Sequence, residues 1–324
     1  MERPASTDQT LACFGTHRVS EPPPRISAQA KLQPSRTRSQ TQFIILPPSI
    51  AQPPDVFSNI AADDTLHDSL LAGMQYLRGT TYLKDGAIRP EDLTADGRHE
   101  SPVDRLSWHV LSLDREGQIC SCLRYLDESN AAHFDNLWIR HSALTRCPEQ
   151  GSRFQNAVER EMARARQMRM GFGEVGGWAV AEGRRLTLEA IGILLATYGL
   201  LELLGGCMGV ATATFRHSSA TILRKIGLSS LDAGGVELQP YFDPSYGCEM
   251  EVLQFDSRFP SSKYISWVKE LAVILKDAPI VCRSGMAAAS EGGSKSIWNL
   301  GTRLTAENGL PQTYHESASA ARAR

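Results

Sequence analysis

The chain is short of net charge. Its 324 residues sum to −2, with an isoelectric point of about 6.5. That balance argues against wholesale binding to nucleic acid and leaves room only for a local basic patch. Seven cysteines are scattered, none in a CxxC pair. An odd count without a secretory leader pattern fits reduced thiols, so a cytoplasmic setting is expected. Cys120 and Cys122 alternate along one strand-like run; they read as a metal pair or, more plainly, as two small strand residues. No His/Cys/Asp cluster has metal-ligand spacing and no nucleophile-elbow motif occurs, so no metal is expected. No internal repeat is visible. The one long apolar run, residues 186–204, is interrupted by Thr187, Glu189, Thr197, Tyr198 and Glu202. It lies between two strand-like runs, so it is expected to be a buried core helix, with no membrane span.

What is present begins and ends in low-complexity sequence. Residues 1–58 hold nine of the 17 prolines, among Ser, Thr and Gln runs, and are expected to form a disordered arm. Its short apolar patch at 43–46 is the only sticky element. Residues 283–324 lack the apolar content for a core and are expected to be a disordered tail. The folding unit is therefore placed at 59–282.

Within that unit the element order is legible. Residues 64–78 carry Leu66, Leu70, Leu71, Met74 and Leu77 at helical spacing. Two strand-like runs, 106–114 and 118–126, are joined by a Gly-containing hairpin loop. Residues 155–170 are helical and charge-rich, with a stripe of Ala157, Val158, Met162 and Ala165. A strand follows at 173–180, then the apolar helix, a strand at 207–216 and a short helix at 218–228. Ser218 or Ser219 is its expected cap and Gly227 its stop. A late strand at 247–256 and an amphipathic helix at 262–278 close the unit. Helices and strands alternate only in the second half. The pattern predicts an α/β (α+β) protein, a mixed sheet with helices on both faces.

The joint at 172–206 carries most of the chemistry-bearing residues. An acid, Glu174, stands at the head of an otherwise apolar strand. Paired glycines, Gly176 and Gly177, precede Trp178 and allow a bulge. The loop beyond holds Arg184 and Arg185 but a single glycine, Gly183, instead of a glycine-rich phosphate cradle. A carboxylate beside a strand bulge supplies a base and backbone N–H groups for an oxyanion in one place. A solvated acid at a strand end is the plainer alternative for Glu174.

Four stretches in order carry a family resemblance: residues 74–86 (MQYLRGTTYLKDG), 101–126 (SPVDRLSWHVLSLDREGQICSCLRYL), 172–180 (FGEVGGWAV) and 211–228 (ATATFRHSSATILRKIGL). Together they resemble the Gcn5-related N-acyltransferase superfamily. The likeness is strongest to its branch of acyl-homoserine-lactone synthases and long-chain N-acyl amino acid synthases, and it covers about residues 64–260. The resemblance implies a mostly antiparallel central sheet and transfer of a fatty acyl group from a thioester to an amine by direct attack. Nothing is expected to be bound tightly; the co-substrate is acyl-phosphopantetheine on an acyl carrier protein, or acyl-coenzyme A. The expected partners are that carrier protein and a small amine or amino acid.

The resemblance also assigns roles. Glu174 becomes the general base, with the backbone at Gly176, Gly177 and Trp178 as oxyanion donor. Arg124 anchors the acceptor's carboxylate or head group, and Arg78 and Asp104 shape the acceptor side. Arg216 and His217 lie within reach of the thioester, with His217 a second candidate base. Trp178, Leu188, Ile191, Leu194 and Leu195 are candidates to line an acyl tunnel. Arg184, Arg185, Arg224 and Lys225 form a basic rim suited to an acidic carrier or its phosphate. Two departures stand out. The family's acetyl-coenzyme A loop has two small residues where this chain has only Gly183. The synthases carry an arginine two or three residues after the strand glutamate, where this chain has Gly177. A coenzyme A-dependent N-acetyltransferase and a catalytically silent binding module of the same fold remain the alternatives.

Overall fold

The first strand lies inside the stretch expected to be a disordered arm. The computed structural model describes residues 42–185 and 187–284. Within it, β1 (Gln42–Leu46) pairs with β3 (Trp108–Leu113) and β10 (Ile280–Cys282). Ile45 packs on one side of the sheet and Ile44 and Leu46 on the other, all at most 5% exposed. The boundary at 58 is thus corrected to 42. The continuous run of four apolar residues is a buried-strand signal that the surrounding prolines concealed. Residues 1–41 and 285–324, the rest of the expected arm and tail, lie outside the described residues, as does Leu186.

The remaining elements, in chain order, are β2 (Ile60–Ala62), α1 (Asp64–Lys84), β4 (Ile119–Asp127), α2 (Gly151–Gln167), β5 (Gly171–Val180), α3 (Glu189–Leu203), β6 (Cys207–Thr214) and α4 (Ser219–Ile226). They end with β7 (Ser229–Ser230), β8 (Tyr241–Asp243), β9 (Cys248–Asp256) and α5 (Ile265–Lys276). The strands form one sheet in the order β2-β10-β1-β3-β4-β5-β6-β9-β7, with β8 paired to β9. Only β1–β10, β10–β2 and β5–β6 are parallel, so the sheet is mixed and mostly antiparallel.

Helices cover both faces. Asp63 caps α1, its carboxylate accepting from the Leu66 amide at 2.9 Å. The helix lays Leu70, Leu71 and Met74 on one end of the sheet. On the same face α2 buries Phe154, Ala157, Val158 and Met162 against β5, β6 and β9. The opposite face is covered by α3, α4 and α5. The apolar character of α3 follows from its place: it is sandwiched between the sheet and α5, so it buries its whole circumference. Among the described residues no helix is long and apolar enough to cross a membrane.

Two local features place the site. The first is a bulge. Cys122 pairs with Ala179 but Arg124 pairs with Gly176, so β5 spends one extra residue there. Gly177 takes φ +63°, a conformation that favours glycine. The second is a parting of strands. β5 and β6 pair only as far as Val175 and Ala211. Beyond that, β5 continues to Val180 and β6 to Thr214 without pairing to each other. Val175, Gly176, Gly177 and Trp178 are only half-buried there.

Candidate active site

Period-two alternation along β4 and β5 places Arg124 and Glu174 on the same face of the sheet, the one covered by α1 and α2. Arg124 sits three residues before the end of β4 and Glu174 fourth in β5, neither at a solvated end. Both are buried, at 6% and 5% exposure. Arg124 Nη2 donates to Glu174 Oε1 at 2.8 Å, and Nη1 donates to Ser101 Oγ at 3.2 Å. The plainer alternative for Glu174, a solvated acid at a strand end, therefore does not hold. Burial raises the Glu174 carboxyl above its usual range, and Arg124 opposes that without cancelling it. Glu174 Oε2 and Arg124 Nε are buried with no hydrogen-bond partner among the described residues.

Arg78 and Asp104 form the second pair. Arg78 Nη1 donates to Asp104 Oδ1 at 2.9 Å and Nη2 to Oδ2 at 2.6 Å, with both residues at most 2% exposed. Gln75 Nε2 and the Ser101 amide also donate to Asp104 Oδ2, at 3.0 and 2.9 Å. Burial alone would raise the Asp104 carboxyl; its bonds to Arg78 and the guanidinium charge overcome that and hold it well below the usual range. Arg78 Nε donates to His99 Nδ1 at 3.1 Å, and burial followed by the Arg78 charge lowers His99 to about 4. His109 meets the Asp104 carbonyl at 2.7 Å and is likewise lowered to about 4, by burial. These histidines are neutral supports of the pair.

The two pairs meet at the bulge. A Cβ on Gly177 would come within 3.3 Å of both Arg124 Cβ and Arg78 Nη1. One on Gly176 would stand 3.3 Å from Arg124 Nη2. The glycines thus make room for the guanidinium groups as well as for the backbone turn. The Tyr82 hydroxyl donates to the Trp178 carbonyl at 3.3 Å, tying α1 to the bulge.

The other face of the same strands holds a small apolar cavity of about 20 Å³. Leu123 and Val175 form its floor, Leu194 and Leu201 of α3, Leu223 of α4 and Phe255 of β9 its walls. Of the expected tunnel residues only Leu194 lines it. Leu195 is fully buried, Ile191 and Trp178 pack at the core's margin, and Leu188 is 68% exposed. The α3 turn is what decides this, since Leu188 precedes the first helical residue.

The basic rim is smaller than its sequence suggests. Arg185 makes a two-pronged pair with Asp85, at 2.7 and 3.0 Å. Arg224 is tied to Glu251 and Ser230. Arg184 and Lys225 are exposed. Arg216 donates to the carbonyls of Asp85 and Gly86 at 2.9 and 2.8 Å and to that of Gly247 at 3.1 Å, and His217 lies 3.6 Å from Asp85. Arg216 and His217 are thus drawn to the end of α1. Neither expected cap bonds the start of α4: Ser218 takes the cap position with a left-handed backbone and no side-chain cap. Gly227, at φ +125°, does end that helix.

Sequence reasoning passed over Gln75, His99 and Ser101, and over Glu128, the residue after the end of β4. Glu128 shares the strand-face parity of Arg124, which is a signal present in the sequence. The others carry none.

No family model matches the chain, and no curated protein matches it. Solved structures do. A coenzyme A-dependent acyl-homoserine lactone synthase, BjaI, in a structure with MTA, is similar over 82% of this chain and 99% of its own, at 12% identity and a TM-score of 0.46. The acyl-homoserine lactone synthase LasI matches 59% of this chain and 84% of its own, at 14% identity and a TM-score of 0.37. FeeM, an N-acyl amino acid synthase from uncultured soil microbes, matches 61% and 88%, at 12% identity and a TM-score of 0.38. At such identities, what this chain does is read from its own side chains.

Proposed function

We propose that the protein is an N-acyltransferase that moves a fatty acyl group from a phosphopantetheine thioester to the amine of an amino acid or related small molecule. The observation that carries this reading is Glu174. It is buried beside Arg124, keeps one carboxyl oxygen unpartnered, and lies three residues from a glycine bulge at the point where β5 leaves β6.

An α-amine arrives mostly as ammonium and must lose a proton before it attacks. A carboxyl whose affinity for protons is raised by burial is better matched to that task than an exposed one. Arg124 keeps the carboxylate oriented. The acceptor's own carboxylate is held by the guanidinium face around Arg124, with Arg78 fixed behind it by Asp104. The thioester lies along the unpaired edge of β5. An extended pantetheine arm, which carries amides, suits an open strand edge. The bulge takes a backbone N–H out of the ladder at Gly177–Trp178, where it meets the oxyanion of the tetrahedral intermediate. That intermediate collapses to the amide, and the departing thiolate takes up a proton as the free thiol. No covalent acyl-enzyme forms. The acyl chain enters the apolar seam on the α3 face by widening the small cavity floored by Val175, the neighbour of Glu174.

A carrier-protein donor is favoured over coenzyme A by the loop before α3. It holds a single glycine, Gly183, instead of a glycine-rich phosphate cradle. The Glu189 amide at the start of α3 is already bonded to Thr187 Oγ1 at 3.1 Å, and Glu189 itself puts an acid in the first turn. That end suits a pyrophosphate poorly. Exposed Arg184 and Lys225 are free to meet an acidic carrier.

The test is mass spectrometry of lipids from a bacterial host expressing the full chain, beside its Glu174→Gln variant. New N-acyl amines that fall about 100-fold or more in a folded variant are the expected result. Equal yields from both proteins would remove Glu174 from the base role.

A further inference from the structure

Glu128 lies at the edge of the same site, and neither the motifs nor the resemblance points to it. Leu126 is directly opposite Glu174 in the β4–β5 ladder, and the Glu128 amide bonds the Phe172 carbonyl at 2.8 Å, continuing that ladder. Glu128 is therefore the diagonal neighbour of Glu174 on the same face, within reach of a long side chain. Its Oε1 accepts from the Trp138 amide. Its Oε2 is shielded from solvent with no hydrogen-bond partner, as is Oε2 of Glu174. Two carboxyl groups thus each leave one oxygen unsatisfied in one enclosed place, and Arg124 is the counter-charge that acts on both. Two buried like charges this close do not both ionise at low cost, and a cation shared by both oxygens satisfies both.

We propose that Glu128 is a second carboxyl of the acceptor site. It and Glu174 hold one proton between them in the empty protein, and the ammonium group of the incoming amine takes that proton's place. Binding the acceptor as a cation then delivers it against two carboxylates, with Glu174 ready to remove the proton that attack requires. Entry of the ammonium releases one proton to solvent, so charge balances. The naming of the amine as an acyl acceptor rests on the acyl-transfer reading; the shared proton does not.

The surroundings agree. Burial first, and then the charge of Glu174, raises Glu128 to about 8. Arg124 opposes this from the same strand, and Asp127 adds to it. The Tyr125 phenol and the Cys207 thiol lie within its field, and the Tyr241 and Tyr246 phenols within that of Glu174; burial raises all four, so they are neutral near pH 7.

The experiment follows glutamate δ-carboxyl carbons by isotope-labelled NMR in the full-length protein across pH, with methylammonium as the probe. The wild type is expected to show one carboxyl titrating well above the usual range, absent in Glu128→Gln. In Glu174→Gln the Glu128 signal is expected to titrate lower by about one pH unit, since a neighbouring negative charge is gone. Methylammonium should lower the wild-type midpoint, while tetramethylammonium, which has no N–H, should not. A Glu128 signal that titrates with exposed carboxylates, or that ignores Glu174→Gln, overturns the shared proton. A midpoint indifferent to methylammonium overturns the amine. A positive result in a protein that makes no N-acyl product leaves the carboxyl pair standing and removes the acyl-transfer reading instead.

Discussion

Charge pairing governs the residues of the site. Arg78 and Asp104 are so enclosed that neither tolerates loss of the other. Arg78→Met is expected to cost about 3–5 kcal/mol in chemical denaturation, because it strands a buried carboxylate. The pH signs of the two buried acids differ. The Asp104 carboxyl is depressed in the folded state, so its contribution is full above its ordinary value of 3.8 and is lost as pH falls through the folded value. Glu128 is raised from 4.5 to about 8, so the folded state binds its proton more tightly and stability declines as pH rises through that window. Glu128→Gln is expected to flatten this decline and to be more stable than wild type at pH 8. Thermal melts at several pH values measure both. A steeper decline in the variant would contradict the assignment. At Gly177, substitution by Val forces a branched side chain into φ +63° and against both arginines. The expected cost is about 1–2 kcal/mol or more from backbone strain, with turnover falling further than stability.

Elements decide what these residues can reach. β5 changes role along its length: paired on both sides up to Val175, it has only β4 as a neighbour beyond it. The bulge falls on that second half, so the irregular backbone and the open edge coincide. α3 forms the cavity wall through Leu194 and Leu201. If the cavity receives the acyl chain as proposed, Leu194→Trp closes it and is expected to shorten the acyl chains of the products. The overpacking cost is about 1–3 kcal/mol. An unchanged chain-length distribution in mass spectra would separate the cavity from the acyl group. The turn between β6 and α4 holds His217 and Ser218 left-handed in succession, at φ +57° and +62°. Arg216 is bonded to carbonyls at the end of α1 and to Gly247, which locks that turn to two other parts of the chain.

In the whole molecule the sheet divides the chemistry between its faces. Arg78, Asp104, Arg124, Glu174 and Glu128 lie on the α1/α2 side, the apolar cavity on the α3/α4 side, and the parting of β5 from β6 stands between them. The sheet's far edge depends on distant segments, since β1 lies between β3 and β10 and β2 closes the edge. Removing residues 42–46 would strand β10 and expose Leu111 and Val281. Loss of the cooperative melt is the expected outcome; an unaltered melting temperature would show that β1 is dispensable.

The sequence by itself determined the order of the central elements, because helices and strands announce themselves by local apolar periodicity. It also determined the glycine bulge in β5, because only glycine accepts φ +63° there, and it marked Glu174 and Arg124 as charged residues in apolar strands. Where the chain's own composition misled, at β1, four apolar residues were outweighed by the prolines around them. Tertiary structure alone decided which charges are partners. Arg185 meets Asp85 and Arg224 meets Glu251 across long stretches of chain, so a basic rim counted in the sequence is half neutralised in the fold. It also decided that Glu128 stands beside Glu174, since the β4–β5 register is set by pairing between strands whose nearest ends are more than 40 residues apart. Local pattern is written by backbone geometry one residue after another. Pairing of charges is written by which distant segments the buried core brings together.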